Sequence, residues 1–154
     1  MTEIDETGAD PTDTDASGTD ASGTDPTGTD ARATFEAGMV VRRQVLGNEH
    51  VARAEARKTA FTRDFQSFIT RYAWGEVWTR PGLDRRTRSV VTLTALIAHG
   101  HWDEFAMHVR AALRNGLTPD EIGEVILQAG VYCGVPAANR AFAVAQGVLD
   151  EDDE

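Results

Sequence analysis

The sequence predicts an all-α protein, and three observations lead to that class. From about residue 34 onward, apolar residues recur at three- and four-residue steps, which is the spacing of one face of a helix. Residues typical of helix starts and ends separate these stretches, and no stretch alternates apolar and polar residues as a half-buried strand does. The 154 residues, of which 41% are hydrophobic and 26% charged, suit one globular domain.

Residues 1–33 are predicted to form a disordered acidic extension. Residues 14–30 repeat a five-residue unit of aspartate and turn-forming residues, which offers no apolar surface to bury. Residues 1–30 hold nine acidic and no basic residues, and residues 150–154 form a second, wholly acidic tail. The net charge of −10 therefore comes from the two ends, while residues 31–149 carry about +4. We expect the folded domain to span residues 34–149.

Composition and motifs argue against several classes of protein. The weakly basic domain has no basic runs interleaved with aromatic residues, so nucleic acid is not expected as a partner. One cysteine, Cys133, excludes an intrachain disulfide and a CxxC redox or zinc site. No stretch reaches 18 apolar residues and no secretory signal is evident, so we expect no membrane partner and a cytoplasmic location. No phosphate-binding glycine loop or Gly-x-Ser-x-Gly motif occurs, and no cofactor motif is found.

The first predicted helices lie between residues 49 and 99. Residues 49–73 are amphipathic, with apolar side chains along one face (Val51, Phe61, Phe65, Phe68, Ile69 and Tyr72). Gly75 and residues 78–82 are predicted to form a loop. Asp84 is suited to cap the next helix, which ends at His99 before the stop signal Gly100. Because that helix is apolar nearly all round, we expect it to be the central, buried one.

Three further helices follow, and the start of the second is marked most clearly. A helix over residues 101–115 ends at Asn115-Gly116. Thr118-Pro119-Asp120-Glu121 is a capping box with proline at the first helical position. That helix ends at Gly134, and Pro136 opens the last helix, which runs through Leu149.

Three ionisable residues share one side of the helix predicted over residues 101–115. His101, Glu104 and His108 project within an arc of about 60°, next to the core-facing stripe. A carboxylate between two imidazoles at a partly buried edge can fix a tautomer and tune a histidine pKa. The alternatives are a surface ion pair, a subunit contact, or a zinc or iron site, the last lacking an evident fourth ligand. We therefore expect no metal.

Arginines gather around the start of the helix that Asp84 caps. Arg80 lies in the loop with Trp78, and three more fall in the first helical turn (Arg85, Arg86 and Arg88). A cation at a helix N-terminus opposes the helix dipole, so we expect a compensating anion from a substrate or a partner subunit. Salt bridges at an interface are the alternative.

Five stretches of the sequence resemble the gamma-carboxymuconolactone decarboxylase family. They are G-M-V-V-R-R-Q-V-L-G-N-E-H-V (38–51), G-E-V-W-T-R-P-G-L (75–83), R-x-R-S-V-V-T-L (86–93), H-W-D-E-F-A-M-H-V-R-A-A-L-R-N-G-L-T (101–118) and Y-C-G-V-P-A-A-N-R-A-F (132–142). The resemblance covers about residues 36–149 and implies an AhpD-like bundle of about six helices. AhpD-like relatives use a CxxC pair, whereas His101 and Glu104 stand at the corresponding positions here, which excludes that thiol chemistry.

The resemblance implies an enzyme that removes CO2 from 4-carboxymuconolactone to give beta-ketoadipate enol-lactone, in the protocatechuate branch of aromatic catabolism. The ring can take up the electron pair as a dienolate, so no cofactor is implied. Under this interpretation His101 or His108 donates the proton and Glu104 orients it. Arg88 or Arg80 holds the acetate arm, and Trp78 forms a wall for the departing carboxylate.

The family also implies a homo-oligomer, a hexamer built as a trimer of dimers, with active sites near subunit contacts. Two other functions stay open at this point. One is a related decarboxylase or lyase acting on another carboxylated lactone or beta-keto-type acid. The other is a non-catalytic helical oligomerisation module.

Overall fold

The computed structural model describes residues 31–152, and in that range the chain is helical throughout its regular structure. Seven α-helices and one π-helical segment follow in order: α1 (Ala31–Leu46), α2 (Asn48–Ala56), α3 (Arg63–Ile69), the π segment (Thr70–Val77), α4 (Arg85–His99), α5 (Trp102–Arg114), α6 (Pro119–Cys133) and α7 (Val135–Asp152). The all-α class is confirmed. The predicted disorder of residues 1–30 lies outside the described residues, and α1 begins three residues before the predicted domain boundary.

Two hydrophobic cores meet at α5. Helices α4 to α7 enclose the larger core, which includes Leu93, Phe105 and Ile126. Helices α1 and α2 and the π segment enclose the smaller core around Val45 and Trp74. Helix α5 contributes to both cores, so it is the element that joins the two halves of the described chain.

The helix boundaries predicted from caps are confirmed. The Asp84 carboxylate accepts a hydrogen bond from the backbone N–H of Thr87, and α4 ends at Gly100 with a left-handed φ of 68°. Thr118 and Glu121 form both hydrogen bonds of the capping box at the start of α6. None of the helices between residues 31 and 152 is long and apolar enough to cross a membrane.

The single helix predicted over residues 49–73 is wrong in both continuity and burial. The chain leaves the helix after Ala56, where the backbone N–H of Thr59 donates to the Thr62 hydroxyl at 3.0 Å instead of continuing the helical ladder. Its aromatic stripe faces outward, and the Phe61 side chain is 95% exposed. Periodicity identifies an apolar face of a helix. It does not show whether that face packs in the core of the chain or lies on the surface as a site of contact with another molecule.

The prediction that α4 is buried all round is also wrong. It buries Ser89, Leu93 and Ile97 along one face, while Val91 on the other face is 56% exposed. Helices α5, α6 and α7 cover only that one face, because no further helix of residues 31–152 packs on the other.

Two glycines set the close contact between α1 and the π segment. A Cβ atom at Gly38 would lie 2.3 Å from the Thr70 carbonyl oxygen, and one at Gly75 would lie 2.4 Å from the Thr34 carbonyl oxygen. Gly75, predicted as loop, thus lies inside a helical segment that needs glycine for contact with α1. This contact brings the π segment, with Trp74 and the following Trp78, against the smaller core.

Candidate functional site

His108 lies on α5 at the line where the two cores meet. Ala111 and Ala112, three and four residues further along, are its neighbours on the helix surface. Ala111 belongs to the smaller core and Ala112 to the larger one, and both are fully buried. The His108 side chain is itself partly buried between these faces.

The surroundings of His108 are mostly apolar. Its ring stacks on Trp78 at a centroid distance of 6.4 Å and an angle of 22°. Its Nδ1 atom is buried and has no hydrogen-bond partner among the described residues. Burial lowers the pKa of His108 to about 4, and the charge of His50 adds to that shift while Glu104 opposes it. The imidazole is therefore neutral at pH 7.

The predicted row of His101, Glu104 and His108 is only partly assembled. His101 precedes the first helical residue of α5 and stacks on His99 at 5.7 Å, and its side chain is exposed. Glu104 is exposed and acts on His108 through its charge, and no hydrogen bond joins the three side chains within residues 31–152. In the same range, no three His, Cys, Asp or Glu side chains are placed to hold a metal ion.

The arginines at the start of α4 point to different partners. The guanidinium of Arg86 pairs with the Glu121 carboxylate, so this cation finds its counter-charge within the chain. Arg85 donates to the side-chain oxygen of Gln44. The Arg88 Nη2 atom donates to the Arg80 carbonyl oxygen at 2.8 Å, which fixes the loop after Trp78 onto α4.

Arg88 and Arg80 differ in burial and in hydrogen bonding, and both properties bear on whether they can bind a ligand. The Arg88 Nε atom is buried without a partner among the described residues, whereas the Arg80 side chain is exposed. The structure therefore brings Trp78 and His108 into contact and ties Arg88 to the same loop.

Sequence reasoning gave no role to His50, yet His50 is an electrostatic neighbour of His108. It lies in the first turn of α2 and lines a cavity of about 310 Å³ between α2 and α5. Three arginines line the same cavity, namely Arg53, Arg110 and Arg114. Burial and nearby arginine charges, first that of Arg42, lower the pKa of His50. Periodicity within one helix carries no signal for this site, because the residues that line the cavity come from separate helices.

Arg42 is a second residue that sequence reasoning did not single out. Although charged, it is 6% exposed, and it donates to the Thr70 hydroxyl at 3.2 Å and to the Gln66 side-chain oxygen at 3.1 Å. It also lies 3.8 Å from a Glu55 carboxylate oxygen. Arg42 thus ties α1 to α2, α3 and the π segment, from which Trp74 and Trp78 extend.

Cys133 packs at the edge of the larger core, where it is partly buried.

The sequence of this chain is similar to those of proteins in one known family. Residues 63–147 match the model of the Carboxymuconolactone decarboxylase family, a range that contains Trp78, Arg88 and His108. The chain is 49% identical over 117 residues to 4-carboxymuconolactone decarboxylase of Acinetobacter baylyi, covering 76% of this chain and 87% of that protein. It is 46% identical over 120 residues to nitrosuccinic acid decarboxylase of Metarhizium robertsii, covering 78% of this chain and 84% of that protein. A 4-carboxymuconolactone decarboxylase of Pseudomonas putida is 48% identical over 42 residues, covering 27% of this chain and 88% of that protein.

Proposed function

Because the chain belongs to the carboxymuconolactone decarboxylase family, we propose that it is a 4-carboxymuconolactone decarboxylase. The observation that carries the proposal is the 49% identity to the Acinetobacter baylyi protein of that name over most of both chains. The product would be beta-ketoadipate enol-lactone. We also propose a cytoplasmic location, which fits a chain with one unpaired cysteine.

The reaction needs no external electron sink. When the bond to the departing carboxylate breaks, its electron pair forms a new double bond in the ring. The former ring double bond moves toward the lactone carbonyl, whose oxygen takes the negative charge as a dienolate. A proton delivered to the carbon alpha to that carbonyl restores the lactone, so CO2 leaves and one proton is taken up. The protein has to stabilise the oxyanion and supply that proton.

His108 is the side chain that we assign to the proton transfer. It is partly buried, has an unpartnered ring nitrogen, and lies against the apolar surface of Trp78. A dianionic substrate beside the ring would raise its pKa, so the proton-donating form becomes accessible when substrate is bound. Glu104 acts in the same direction through its charge, which gives it an electrostatic role in place of an orienting hydrogen bond. His101 keeps the status of a sequence-based prediction, as does the assignment of Arg88 or Arg80 to the acetate arm.

A second candidate substrate is nitrosuccinic acid, because a decarboxylase of that acid is 46% identical to this chain. Both compounds are dicarboxylic acids in which an electron-withdrawing group can take up the electron pair that CO2 leaves behind. Both reactions therefore require an active site that holds one carboxylate, stabilises the developing negative charge and delivers a proton.

The experiment that tests the proposal is turnover of freshly generated 4-carboxymuconolactone, followed by ultraviolet absorbance and run beside nitrosuccinic acid. We expect kcat/KM for the lactone to exceed that for nitrosuccinic acid by about 100-fold or more, since a site that fits one acid leaves polar groups unpaired with the other. A Cys133→Ala variant should turn over at the wild-type rate. A higher kcat/KM for nitrosuccinic acid than for the lactone would make nitrosuccinic acid the substrate. Turnover of neither acid would favour a non-catalytic module.

We also propose that the protein is a homo-oligomer, with the hexamer as the expected form. Large apolar side chains are exposed on the α3 and π-segment side (Phe61, Phe65, Phe68 and Tyr72) and around the α6–α7 junction (Val131, Tyr132 and Val135). Contiguous exposed apolar surface is costly for a monomer and typical of subunit contacts. Sedimentation velocity should give a species several times larger than 16.7 kDa. A monomer at micromolar concentration would contradict this proposal.

A further inference from the structure

The cavity between α2 and α5 is a cationic site of a size suited to a small ligand. Its volume of about 310 Å³ lies at the lower end of the range of small-molecule sites, ~300–1,000 Å³. Besides the three arginines and His50, its lining includes Gly47, Met107 and one carboxylate, that of Glu49. Cations from two separate helices therefore converge on one concavity.

The charges around this cavity are unequally compensated. Arg53 lies 3.6 Å from the Glu49 carboxylate, in an exposed pair, and Arg110 pairs with Glu151. Arg114 has no carboxylate partner among the described residues. A surplus positive charge in a concave site favours an anionic ligand.

The exposed Arg114 side chain lies close to the backbone at Gly47. A Cβ atom at Gly47 would lie 3.2 Å from the Arg114 guanidinium carbon, so the guanidinium packs directly over this glycine. Gly47 has a φ of 89°, a conformation that favours glycine. Gly47 also precedes the first turn of α2, where backbone N–H groups add to the positive potential.

The cavity is coupled to His108 through a shared neighbour, His50. Met107, the residue before His108 on α5, lines the cavity, and so does His50, whose charge acts on His108. Met107 and Trp78 pack against the same core. An anion bound beside His50 would therefore also act electrostatically on the residue assigned to proton transfer.

We propose that this cavity binds the carboxylate that the substrate keeps, with Arg114, Arg53 and His50 as its ligand groups. The inference rests on the proposed function and gives it a substrate class: small dicarboxylic acids held by one carboxylate. The departing carboxylate then lies against the uncharged ring of Trp78 and not against the arginines of the cavity, so those cations do not stabilise the ground state that the reaction must leave. The acetate arm is thereby assigned to Arg114 rather than to Arg88 or Arg80.

The test begins with binding of succinate to the full chain, measured by calorimetry without any turnover. Arg114→Gln should weaken succinate binding by about tenfold or more, because a hydrogen bond between charged groups contributes on that scale. Arg53→Gln, at an exposed position, should weaken it severalfold and serves if the first variant is unstable. Arg63→Gln, an exposed arginine on α3, is the control and should bind succinate as the wild type does. Inorganic phosphate should bind more weakly than succinate.

Kinetics with the lactone then test whether this cavity binds the substrate during turnover. Arg114→Gln should raise KM by about tenfold with kcat within a few-fold of wild type, because it removes binding common to ground and transition states. Succinate should inhibit competitively. Unchanged succinate binding in both Arg114→Gln and Arg53→Gln would overturn the inference. Phosphate binding as tight as that of succinate would do so too. A KM for the lactone that rises in Arg88→Gln but not in Arg114→Gln would be a third contradicting result. Succinate bound through Arg114 without lactone turnover would overturn the proposed function and leave the carboxylate site in place.

Discussion

Replacing His108 with glutamine should lower kcat by about 100-fold or more, the usual contribution of a positioned general acid. Glutamine keeps a polar side chain of similar reach beside Trp78 but cannot deliver a proton. KM should change little, because the proposed carboxylate site lies on other residues. Steady-state kinetics with the lactone measure both constants, and the melting temperature verifies that the variant is folded.

Two further histidine variants make this result specific. His99→Gln removes an exposed histidine at the end of α4 and is the matched control, with turnover expected near the wild-type rate. His101→Gln decides between the two histidines predicted from the sequence, and we expect the larger loss from His108. Near-normal turnover in His108→Gln would remove this residue from the proton transfer.

The pKa of His108 tests its assignment to the proton transfer without measuring turnover. In the free protein its pKa is about 4, because burial and the charge of His50 disfavour the cation more than Glu104 favours it. Since the pKa is lowered, the neutral form is present from neutral pH down to about pH 4. Nuclear magnetic resonance titration should show this low pKa, a rise when succinate binds, and a further fall in Glu104→Gln. A pKa near 6.5 in the free protein would contradict the site described here.

Replacing Gly38 with alanine should destabilise the protein by about 2 kcal/mol or more, within the range that overpacking costs. The added Cβ would lie 2.3 Å from a backbone oxygen of the π segment, which cannot move aside as a flexible side chain can. The melting temperature should fall by about 5 °C or more. Because α1 would be pushed away from the segment that precedes Trp78, kcat should fall as well.

Gly147→Ala is the control for this prediction. A Cβ atom at Gly147 would meet no heavy atom within 4 Å, and the residue lies within α7. Alanine in a helix interior is favoured over glycine by about 0.5–1 kcal/mol, so stability should stay the same or rise. A Gly38→Ala variant as stable as Gly147→Ala would show that α1 and the π segment are not in the close contact described.

Local signals in the sequence predicted the parts of the fold that are decided locally. The Asp84 cap, the Gly100 stop and the Thr118–Glu121 capping box each depend on residues within one turn, and all three appear as predicted. Where the outcome depends on distant residues, the same reasoning failed. The outward-facing Phe61 shows that periodicity identifies an apolar face but not what covers it.

The residues of the candidate site also fall into those that local sequence patterns predicted and those that depend on contacts between distant residues. His108, Trp78 and Arg88 were found from helix geometry, loop position and a family resemblance, and the first two are in contact. His50 and Arg114 are 64 positions apart and line the same cavity from two different helices, so no pattern within one helix could reveal them. His101 lies immediately before the first residue of α5, so the helical projection places it only approximately, and its role in proton transfer stays a prediction.

The most direct test of the central claim is turnover of 4-carboxymuconolactone in D2O with a chelator present. We predict stoichiometric CO2 release and one deuterium on the carbon alpha to the lactone carbonyl, added to a single face, because a group fixed in the site delivers it. His108→Gln should lower the rate of this deuteration in step with kcat. Absence of CO2 release, loss of activity with the chelator, or equal deuteration of both faces would contradict cofactor-free decarboxylation with protonation by the protein.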